Sequence, residues 1–260
     1  MDPVDILSKS RMSTGFGRFT DKVVVVTGGC KGIGAGCVEV FREAEGKAAV
    51  WDVDDEVGKT IASEDVLYIR CDMTDEDEIK NAVEKTVERF GRIDCLINNA
   101  GSHPPFHKID EYPAEDLRKL MDLNFVAYYL AAQHCLPHIR KTNGTVVNIA
   151  SQVGSQGQKF ATAYSATKGA VIAFSMSLAK EEAAYGVRVN AVSPTATVTP
   201  MLRGFYEEEP SELEEEAARA PLGRFCRPEE IGKLCLFLAT EGTFITGEDL
   251  HPYGGIQENW

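Results

Sequence analysis

Short apolar runs alternate with longer stretches of mixed apolar and polar residues along most of this chain. The first run, residues 22–27, holds four consecutive valines. A β-branched run of this length predicts a strand that is buried on both faces of a parallel sheet. Residues 75–90 instead carry apolar positions at helical spacing, and Gly91 predicts where that helix ends. This alternation predicts an α/β fold, a single domain on a doubly wound parallel sheet of about seven strands with helices on both faces.

The predicted elements follow one another without a linker, a repeat or a low-complexity tract. The predicted strands are 22–27, 47–51, 66–69, 93–97, 145–149, 187–192 and 249–253. The predicted helices are one that begins near Ile33, then 75–90, 114–140 with a bend near Pro137, one that contains Tyr164 and ends at Ala184, and 227–239. A chain of 260 residues suits one such domain. We therefore expect a single domain over 19–260, preceded by a disordered N-terminal extension over 1–18.

A glycine-rich segment follows the first predicted strand at once. Glycines at 28, 32 and 34 let the backbone turn tightly and approach a pyrophosphate closely, and the helix that begins near Ile33 aims its N-terminal N–H groups at that charge. Glycine-rich loops are common, but one that follows a buried strand and opens a helix is typical of dinucleotide binding. The segment therefore predicts a Rossmann-like fold with a dinucleotide cofactor.

Two charged residues near this loop favour different cofactors. Asp52 follows the second predicted strand, where a carboxylate accepts hydrogen bonds from the adenosine ribose hydroxyls and repels a 2′-phosphate, so it favours NAD over NADP. Lys31 lies within the loop and could attract that phosphate instead. We expect Asp52 to decide for NAD, because a carboxylate fixed beside the ribose meets the phosphate whereas a long lysine can turn to solvent. The alternative for Asp52 is an ordinary helix-capping acid.

Tyr164 and Lys168 are four residues apart, and Ser151 lies upstream of them. On a helix this spacing places the phenol and the ammonium on one face. A free tyrosine has a pKa of about 10, but a nearby positive charge favours the phenolate, and the Ser151 hydroxyl could hold the oxygen that reacts. The three residues therefore predict acid/base chemistry. The alternative is a half-buried tyrosine beside a solvated lysine.

These features, in this order, resemble the short-chain dehydrogenase/reductase family over about 22–255. The motifs that carry the resemblance are TGGCKGIG at 27–34, Asn98-Asn99-Ala100-Gly101, Ser151 and Tyr164-x-x-x-Lys168. The resemblance implies that Tyr164 is the acid/base, that Lys168 lowers its pKa and binds the nicotinamide ribose, and that Ser151 orients the substrate oxygen. It also implies that Asn124 holds a water in a proton relay.

The same resemblance implies which residues contact the cofactor, NAD. The residues that it assigns to cofactor binding are Gly28, Lys31, Gly32, Ile33, Gly34, Asp52, Asp72, Met73, Asn98, Gly101, Tyr164, Lys168, Pro194 and Thr199. Thr195 replaces the glycine that usually follows this proline, which crowds the nicotinamide side, and Tyr253 stands where an acid often precedes paired glycines. Members of the family mostly form homotetramers through the two long helices after the fourth and fifth strands, so we expect a homotetramer.

Two loops indicate the substrate. Residues 101–105 (GSHPP) and 151–158 (SQVGSQGQ) resemble those of hydroxysteroid dehydrogenases within the family, which implies that His103 and Gln158 line the substrate pocket with Ser151 and Tyr164. The main expectation is an NAD-dependent oxidoreductase that interconverts a secondary alcohol and a ketone, with a 17β-hydroxysteroid as substrate. The alternatives are a sugar dehydrogenase that oxidises L-fucose or a similar aldose, a 3-oxoacyl carrier reductase and an inactive NAD-binding scaffold. His103 could also serve only to stiffen a proline-rich loop.

The net charge of −13 argues against nucleic acid or an anionic membrane as a partner, because both need basic patches. No apolar run approaches the ~20 residues that cross a bilayer, and the first ten residues lack the features of a secretory signal. The seven cysteines form no CxxC or His–Cys metal spacing, so we expect a cytoplasmic enzyme without a metal that acts on a small-molecule substrate. Acidic residues concentrate at 207–216. They predict either a solvated helix face or part of a mobile lid over about 199–220, as in relatives.

Overall fold

Seven parallel strands form one sheet in the computed structural model of the chain, which describes residues 18–207 and 210–255. The strands are β1 Val23–Thr27, β2 Lys47–Asp52, β3 Val66–Arg70, β4 Cys95–Asn98, β5 Thr145–Ile149, β6 Arg188–Val192 and β7 Asp249–Leu250. Their order across the sheet is β3-β2-β1-β4-β5-β6-β7. This confirms the predicted Rossmann-like, doubly wound sheet, although the last strand is shorter than the predicted 249–253.

The strand order reverses beside β1, which lies between β2 and β4. Val24 pairs with Ala48 on one side and with Cys95 on the other. Because all the strands are parallel, the connections that leave β1 and β4 diverge at the carboxyl ends and open a crevice there. That end of the sheet is where a doubly wound fold binds its ligands.

Helices cover both faces of the sheet. They are α1 Gly32–Glu43, α2 Asp55–Ile61, α3 Glu76–Phe90, α4 Ala114–Met121, α5 Ala127–Thr142, α6 Val153–Gln156, α7 Thr162–Glu182, α8 Pro200–Gly204, α9 Pro210–Arg219 and α10 Pro228–Thr240. The predicted helix over 114–140 is interrupted by a π turn, Asp122–Val126, in which the Ala127 N–H bonds to the Asp122 carbonyl. Pro137 lies inside α5, so the helix continues past it, and the bend expected near this proline stays a prediction. The sequence did not predict α2.

The helix after the glycine-rich loop is held by a very close helix–helix contact. A Cβ added to Gly36 of α1 would lie 2.5 Å from the Pro228 carbonyl carbon, and one added to Gly232 of α10 would lie 2.6 Å from the Gly36 carbonyl oxygen. The two helices therefore approach each other as only glycines allow. Valines of β1 pack beneath them in one apolar cluster, which fixes the direction of α1 relative to the sheet.

The far end of α7 is tied to α5 by a buried ion pair. Glu182 is fully buried, and Arg140 donates to its carboxylate through Nε at 2.8 Å and Nη2 at 2.5 Å. The Arg140 guanidinium also lies 4.2 Å from the centre of the Tyr185 ring. Both of its hydrogen bonds are charge-assisted, so this pair fixes how the two long helices lie against each other.

Two predicted segments, the N-terminal extension and the acidic stretch at 207–216, lie partly outside the described residues. Of the predicted N-terminal extension over 1–18, only Arg18 is described, and the acidic residues Glu208 and Glu209 lie outside the described ranges. Within residues 18–207 and 210–255, no helix combines the length and the apolar character that a membrane crossing needs.

Candidate active site

The loop after β1 packs directly against the segment after β4. Gly28 has a φ of 62°, which favours glycine, and a Cβ added there would lie 2.9 Å from Ala100 Cα. A Cβ on Gly34 would clash with the Gly28 carbonyl oxygen. Asn99 Nδ2 donates to the carbonyl oxygens of Thr27 and Gly28, both at 3.0 Å. Asn99, which sequence reasoning did not assign to the cofactor, thus fixes the shape of the glycine-rich loop.

The N-terminus of α1 opens towards the crevice. Lys31 occupies the N-cap position without a side-chain hydrogen bond to the first turn, which leaves the first N–H groups of the helix without a cap from that residue. Those groups and the positive end of the helix dipole suit a pyrophosphate. Gly32 has a φ of 55°, and a Cβ there would lie 3.3 Å from the Thr199 methyl group. The structure therefore brings Thr199 to the predicted loop, in which Ile33 is half-buried.

Asp52 presents a carboxylate at the end of β2. Its Oδ2 accepts a hydrogen bond from Cys30 N at 2.9 Å and its Oδ1 accepts one from Asp54 N at 3.0 Å, so each oxygen keeps a lone pair for another donor. The helix-capping acid is Asp54, whose side chain accepts from Val57 N at the start of α2. Lys31 pairs with Asp54 across a distance of 2.5 Å. The glycine cradle, the helix N-terminus and the Asp52 carboxylate together fit an adenine dinucleotide.

Three other predicted cofactor residues lie at the rim of the crevice or beneath it. Asp72 follows β3 and is half-buried. Met73 is only 3% exposed and Asn98 is fully buried, with Asn98 Nδ2 donating to Asn148 Oδ1 at 2.9 Å. Any contact of Met73 or Asn98 with the cofactor would therefore use the main chain, and their assignment to cofactor binding stays a prediction. Asn98, the last residue of β4, has its side chain in the core, and Asn99, the next residue, contacts the loop instead.

The carboxyl end of β5 and the first turns of α7 bring the predicted catalytic side chains together. Ser151 follows β5, and its hydroxyl is hydrogen-bonded to the phenol of Tyr164. One turn further along α7, Lys168 Nζ lies 5.8 Å from the centre of the Tyr164 ring and donates to the Ile149 carbonyl oxygen at 2.9 Å. The predicted grouping of hydroxyl, phenol and ammonium is therefore present, while the catalytic roles of these residues stay a prediction.

Burial acts against the predicted ionisation of this group. It raises the pKa of Tyr164 to about 12, and the hydrogen bond with Ser151 offsets only part of that rise. It also lowers the pKa of Lys168 to about 7, because a desolvated ammonium is disfavoured. Both shifts oppose the ionisation that the resemblance implies, and the role of Lys168 in lowering the pKa of Tyr164 stays a prediction. A positive charge close to the ring would favour the phenolate.

Asn124 lies in the π turn and is fully buried. Its Nδ2 donates to the Ser102 carbonyl oxygen at 2.9 Å and to Thr167 Oγ1 at 3.2 Å, and its Oδ1 accepts from Ser102 N at 2.9 Å. A Cβ on Gly101 would lie 3.0 Å from that Oδ1. Asn124 thus joins the segment after β4 to α7. Any water of the predicted relay would have to use the second lone pair of Oδ1 or the main chain.

His103 and Gln158, the predicted substrate residues, meet beside Tyr164. The ring centres of His103 and Tyr164 are 4.1 Å apart, and the Gln158 side chain is hydrogen-bonded to the imidazole. His103 Nδ1 lies 2.6 Å from the Pro104 carbonyl oxygen, which can only accept, so Nδ1 carries the proton and Nε2 is an acceptor. Burial lowers the pKa of His103, so the imidazole is neutral at pH 7. Polar groups therefore lie next to the phenol.

Aromatic rings that sequence reasoning did not select complete this side of the site. Phe205 follows α8, and its ring centre lies 5.0 Å from that of His103 and 5.5 Å from that of Phe106. Phe160 lines the cleft next to Tyr164. The only sequence signal for Phe205 was its place in the predicted lid.

The loop after β6 reaches the same end of the sheet. Pro194 is buried, and its carbonyl oxygen accepts a hydrogen bond from Gln152 N at 3.0 Å. Pro194 therefore lies next to the residue that follows Ser151. Thr195 is half-buried, and its carbonyl oxygen accepts from Thr197 Oγ1 at 3.0 Å. Among the residues that the structure describes, no cluster of histidine, cysteine, aspartate or glutamate is arranged to hold a metal ion.

Known proteins resemble this chain along almost its whole length. A family model described as enoyl-(acyl carrier protein) reductase matches residues 28–257. The L-fucose dehydrogenase of Bos taurus is 41% identical over 245 residues, which cover 92% of this chain and 91% of that protein. The solved aldohexose dehydrogenase of Thermoplasma acidophilum is 32% identical with a TM-score of 0.86, over 93% of this chain and 96% of that one. A 3-ketoacyl-(acyl carrier protein) reductase of Brucella melitensis, solved with NADH, is 27% identical with a TM-score of 0.86, over 91% and 98%.

Proposed function

We propose that this chain is an NAD-dependent dehydrogenase of L-fucose or a similar aldose. It belongs to the short-chain dehydrogenase/reductase family. The observation that carries the proposal is the convergence of Tyr164, Ser151, His103 and Gln158 beside the crevice. This set offers several hydrogen-bonding groups to a polyhydroxylated ring and one group that can take a proton. The relatives named for L-fucose and for aldohexoses favour a sugar over the 17β-hydroxysteroid that the loops predicted.

The chemistry of an aldose suits these side chains. The ring carbon C1 of an aldopyranose carries a hydrogen and a hydroxyl group, and its oxidation to a lactone removes a hydride from C1 and a proton from the hydroxyl. Ser151 would hold the hydroxyl oxygen while Tyr164 takes its proton, and Lys168 with Asn124 would return that proton to water. NAD⁺, when bound, supplies the hydride acceptor and positive charge near the phenol. Acid/base help of this kind contributes typically ~10²–10⁴-fold to the rate.

The adenosine side of the crevice supports NAD as the cofactor. The N–H groups at the start of α1 and the glycines at 28, 32 and 34 would hold the pyrophosphate, and Asp52 would accept hydrogen bonds from the ribose hydroxyls. Thr199 and Pro194 would contact the nicotinamide end; Thr199 lies next to the loop, and Pro194 lies next to the residue after Ser151. The Asp52 carboxylate disfavours a 2′-phosphate.

A panel of substrates tests the proposal. L-Fucose, other aldoses and 17β-estradiol are offered with NAD⁺ or NADP⁺, and an acetoacetyl carrier with NADH or NADPH, while absorbance of the reduced coenzyme is followed. We expect kcat/KM for L-fucose or another aldose with NAD⁺ to exceed that for estradiol by at least ~100-fold, since a site built for hydroxyl groups rejects a ligand that leaves them unpaired. Preference for the steroid or the acyl carrier would overturn the proposal. No turnover of any compound, with NADH still bound, would favour the scaffold.

Sugar oxidation is expected to accelerate as the pH rises. Burial raises the pKa of Tyr164, and a base acts only when deprotonated, so the active fraction grows about tenfold per pH unit below that pKa. The positive charge of the coenzyme moves the end of this rise to a lower pH than in the free protein. Initial rates of NADH formation between pH 6 and 10 measure the profile. A rate that falls as the pH rises would contradict the role of Tyr164 as the base.

We also propose that the segment over about 199–220 closes over the substrate. Its support is the contact of Phe205 with His103 and Phe106, which covers the side of the site next to Tyr164. Phe205→Ala is expected to raise KM for the sugar about tenfold, because it removes the ring that packs over the pocket, and to leave the Kd for NADH within about twofold. Phe205→Leu is the matched control and should lie in between. An unchanged KM in Phe205→Ala would exclude this contact from substrate binding.

A homotetramer built on the helices after β4 and β5 remains our proposal for the assembly. Val126 at the end of the π turn, Tyr129 on α5 and Met176 on α7 are large apolar residues that are exposed on the chain by itself, which supports an interface there. Light scattering should give four times the mass of one chain.

The seven cysteines lie in the described residues as free thiols, six of them buried, which supports the cytoplasm as the compartment.

A further inference from the structure

An ion pair joins the glycine-rich loop to the turn after β2. Lys31 Nζ lies 2.5 Å from Asp54 Oδ2, and the exposed fractions of the two side chains are 61% and 23%. The pair lies beside Asp52, because Asp54 N and Cys30 N donate to the two oxygens of the Asp52 carboxylate. Two carboxylates and one cation therefore share the adenosine side of the crevice.

A 2′-phosphate on the adenosine ribose would meet these charges in opposite ways. Asp52 would repel it, whereas a lysine ammonium binds phosphate well as a point charge. Lys31 is the only basic residue between Gly28 and Gly34. In the structure its charge is compensated by Asp54, and its position is held by that contact.

We propose that Asp54 is a second determinant of coenzyme choice: by pairing with Lys31, it withholds the cation of the glycine-rich loop from a 2′-phosphate. This inference rests on the proposed NAD dependence. Asp54 acts through Lys31 and is therefore a positioning residue. It reinforces the repulsion by Asp52, and it explains how a lysine in the loop is compatible with a preference for NAD.

The two carboxylate oxygens of Asp54 make different contacts, so a substitution can remove the ion pair with Lys31 and keep the helix cap. Oδ1 accepts from Val57 N at 3.0 Å and caps α2, while Oδ2 faces Lys31. The hydrogen bond with Lys31 lowers the pKa of Asp54, in keeping with an ionised pair. Asparagine caps helices as well as aspartate does, so Asp54→Asn keeps the cap and removes the ion pair.

The experiment measures binding of two fragments to the full chain by calorimetry: 5′-AMP and adenosine 2′,5′-bisphosphate, which differ only in the 2′-phosphate. Asp54→Asn should tighten binding of the bisphosphate about threefold to fivefold, the range of an exposed charge interaction, and leave 5′-AMP within about twofold. Lys31→Met alone should leave the ratio of the two affinities near that of the parent, and Asp54→Asn/Lys31→Met should abolish the gain. Asp54→Glu should restore the parent ratio. In an Asp52→Asn background the gain from Asp54→Asn should be larger.

Several results would overturn the inference. An unchanged ratio in Asp54→Asn means that Asp54 does not influence the choice. A gain that persists in the double variant means that loss of negative charge, and not release of Lys31, is the cause. Asp54→Ser, which also caps the helix, replaces Asp54→Asn if that variant unfolds below the parent temperature. Failure of the parent chain to bind 5′-AMP, NAD⁺ and NADH would instead overturn the proposed coenzyme dependence itself.

Discussion

Replacing Tyr164 with phenylalanine is expected to lower kcat for sugar oxidation at least ~100-fold and to leave the Kd for NADH within about twofold. The change removes only the hydroxyl that is hydrogen-bonded to Ser151, while the ring that lies 4.1 Å from His103 stays. The pocket should therefore keep its shape and lose its proton acceptor. Steady-state rates and titration of NADH fluorescence measure the two quantities.

Tyr185→Phe is the matched control for this variant. Tyr185 follows α7, is exposed and has its ring against Arg140, so loss of its hydroxyl should leave kcat unchanged. A Tyr164→Phe variant that keeps more than about a tenth of the parental kcat would exclude the acid/base role, because that contribution is typically ~10²-fold or more.

Replacing Arg140 with methionine is expected to lower the free energy of unfolding by about 3 kcal/mol. Glu182 is fully buried and receives both Arg140 hydrogen bonds, so the variant leaves a buried carboxylate without its cation. Breaking a buried pair in this way typically costs ~3–5 kcal/mol, and the partial exposure of Arg140 places the effect at the lower end. Urea unfolding at a fixed protein concentration measures it.

The double variant Arg140→Met/Glu182→Gln separates the loss of a partner from the loss of packing. With both charges removed, stability should return to within about 1 kcal/mol of the parent. The single variant should also lose activity at a lower temperature, since α7 carries Tyr164 and Lys168. An Arg140→Met protein as stable as the parent would show that water reaches Glu182.

The sheet could be predicted from the sequence because its signal is local. Runs such as Val23–Thr27 are short, β-branched and apolar, and these properties do not depend on distant residues. The phenol, the hydroxyl and the ammonium of the site were found for a related reason, since their spacing on one helix and at one strand end is fixed by the sequence. By contrast, α2 was missed because its seven residues carry acids, a glycine and no clear apolar face.

What the sequence could not supply depends on contacts between distant segments. Asn98 and Asn99 are adjacent and chemically identical, and only the packing of the end of β4 against the rest of the chain decides that the first is buried and the second contacts the glycine-rich loop. Lys31 could be placed in the loop but not paired with Asp54, because the two lie on different connections. The pKa of Tyr164 follows burial, which emerges only when α7 is packed.

The π turn at Asp122–Val126 has a consequence for how this gene can vary. A turn of this kind contains one residue more than an α-helix needs. Deleting one residue there would let the backbone continue as a regular α-helix, so that Ala131, Cys135 and Ile139 could stay in the interior while Asn124 would lose its hydrogen bonds to Ser102. A deletion of one residue in this stretch should therefore spare the hydrophobic core and disturb the site, because the surplus residue serves the position of Asn124 and not the packing of α5.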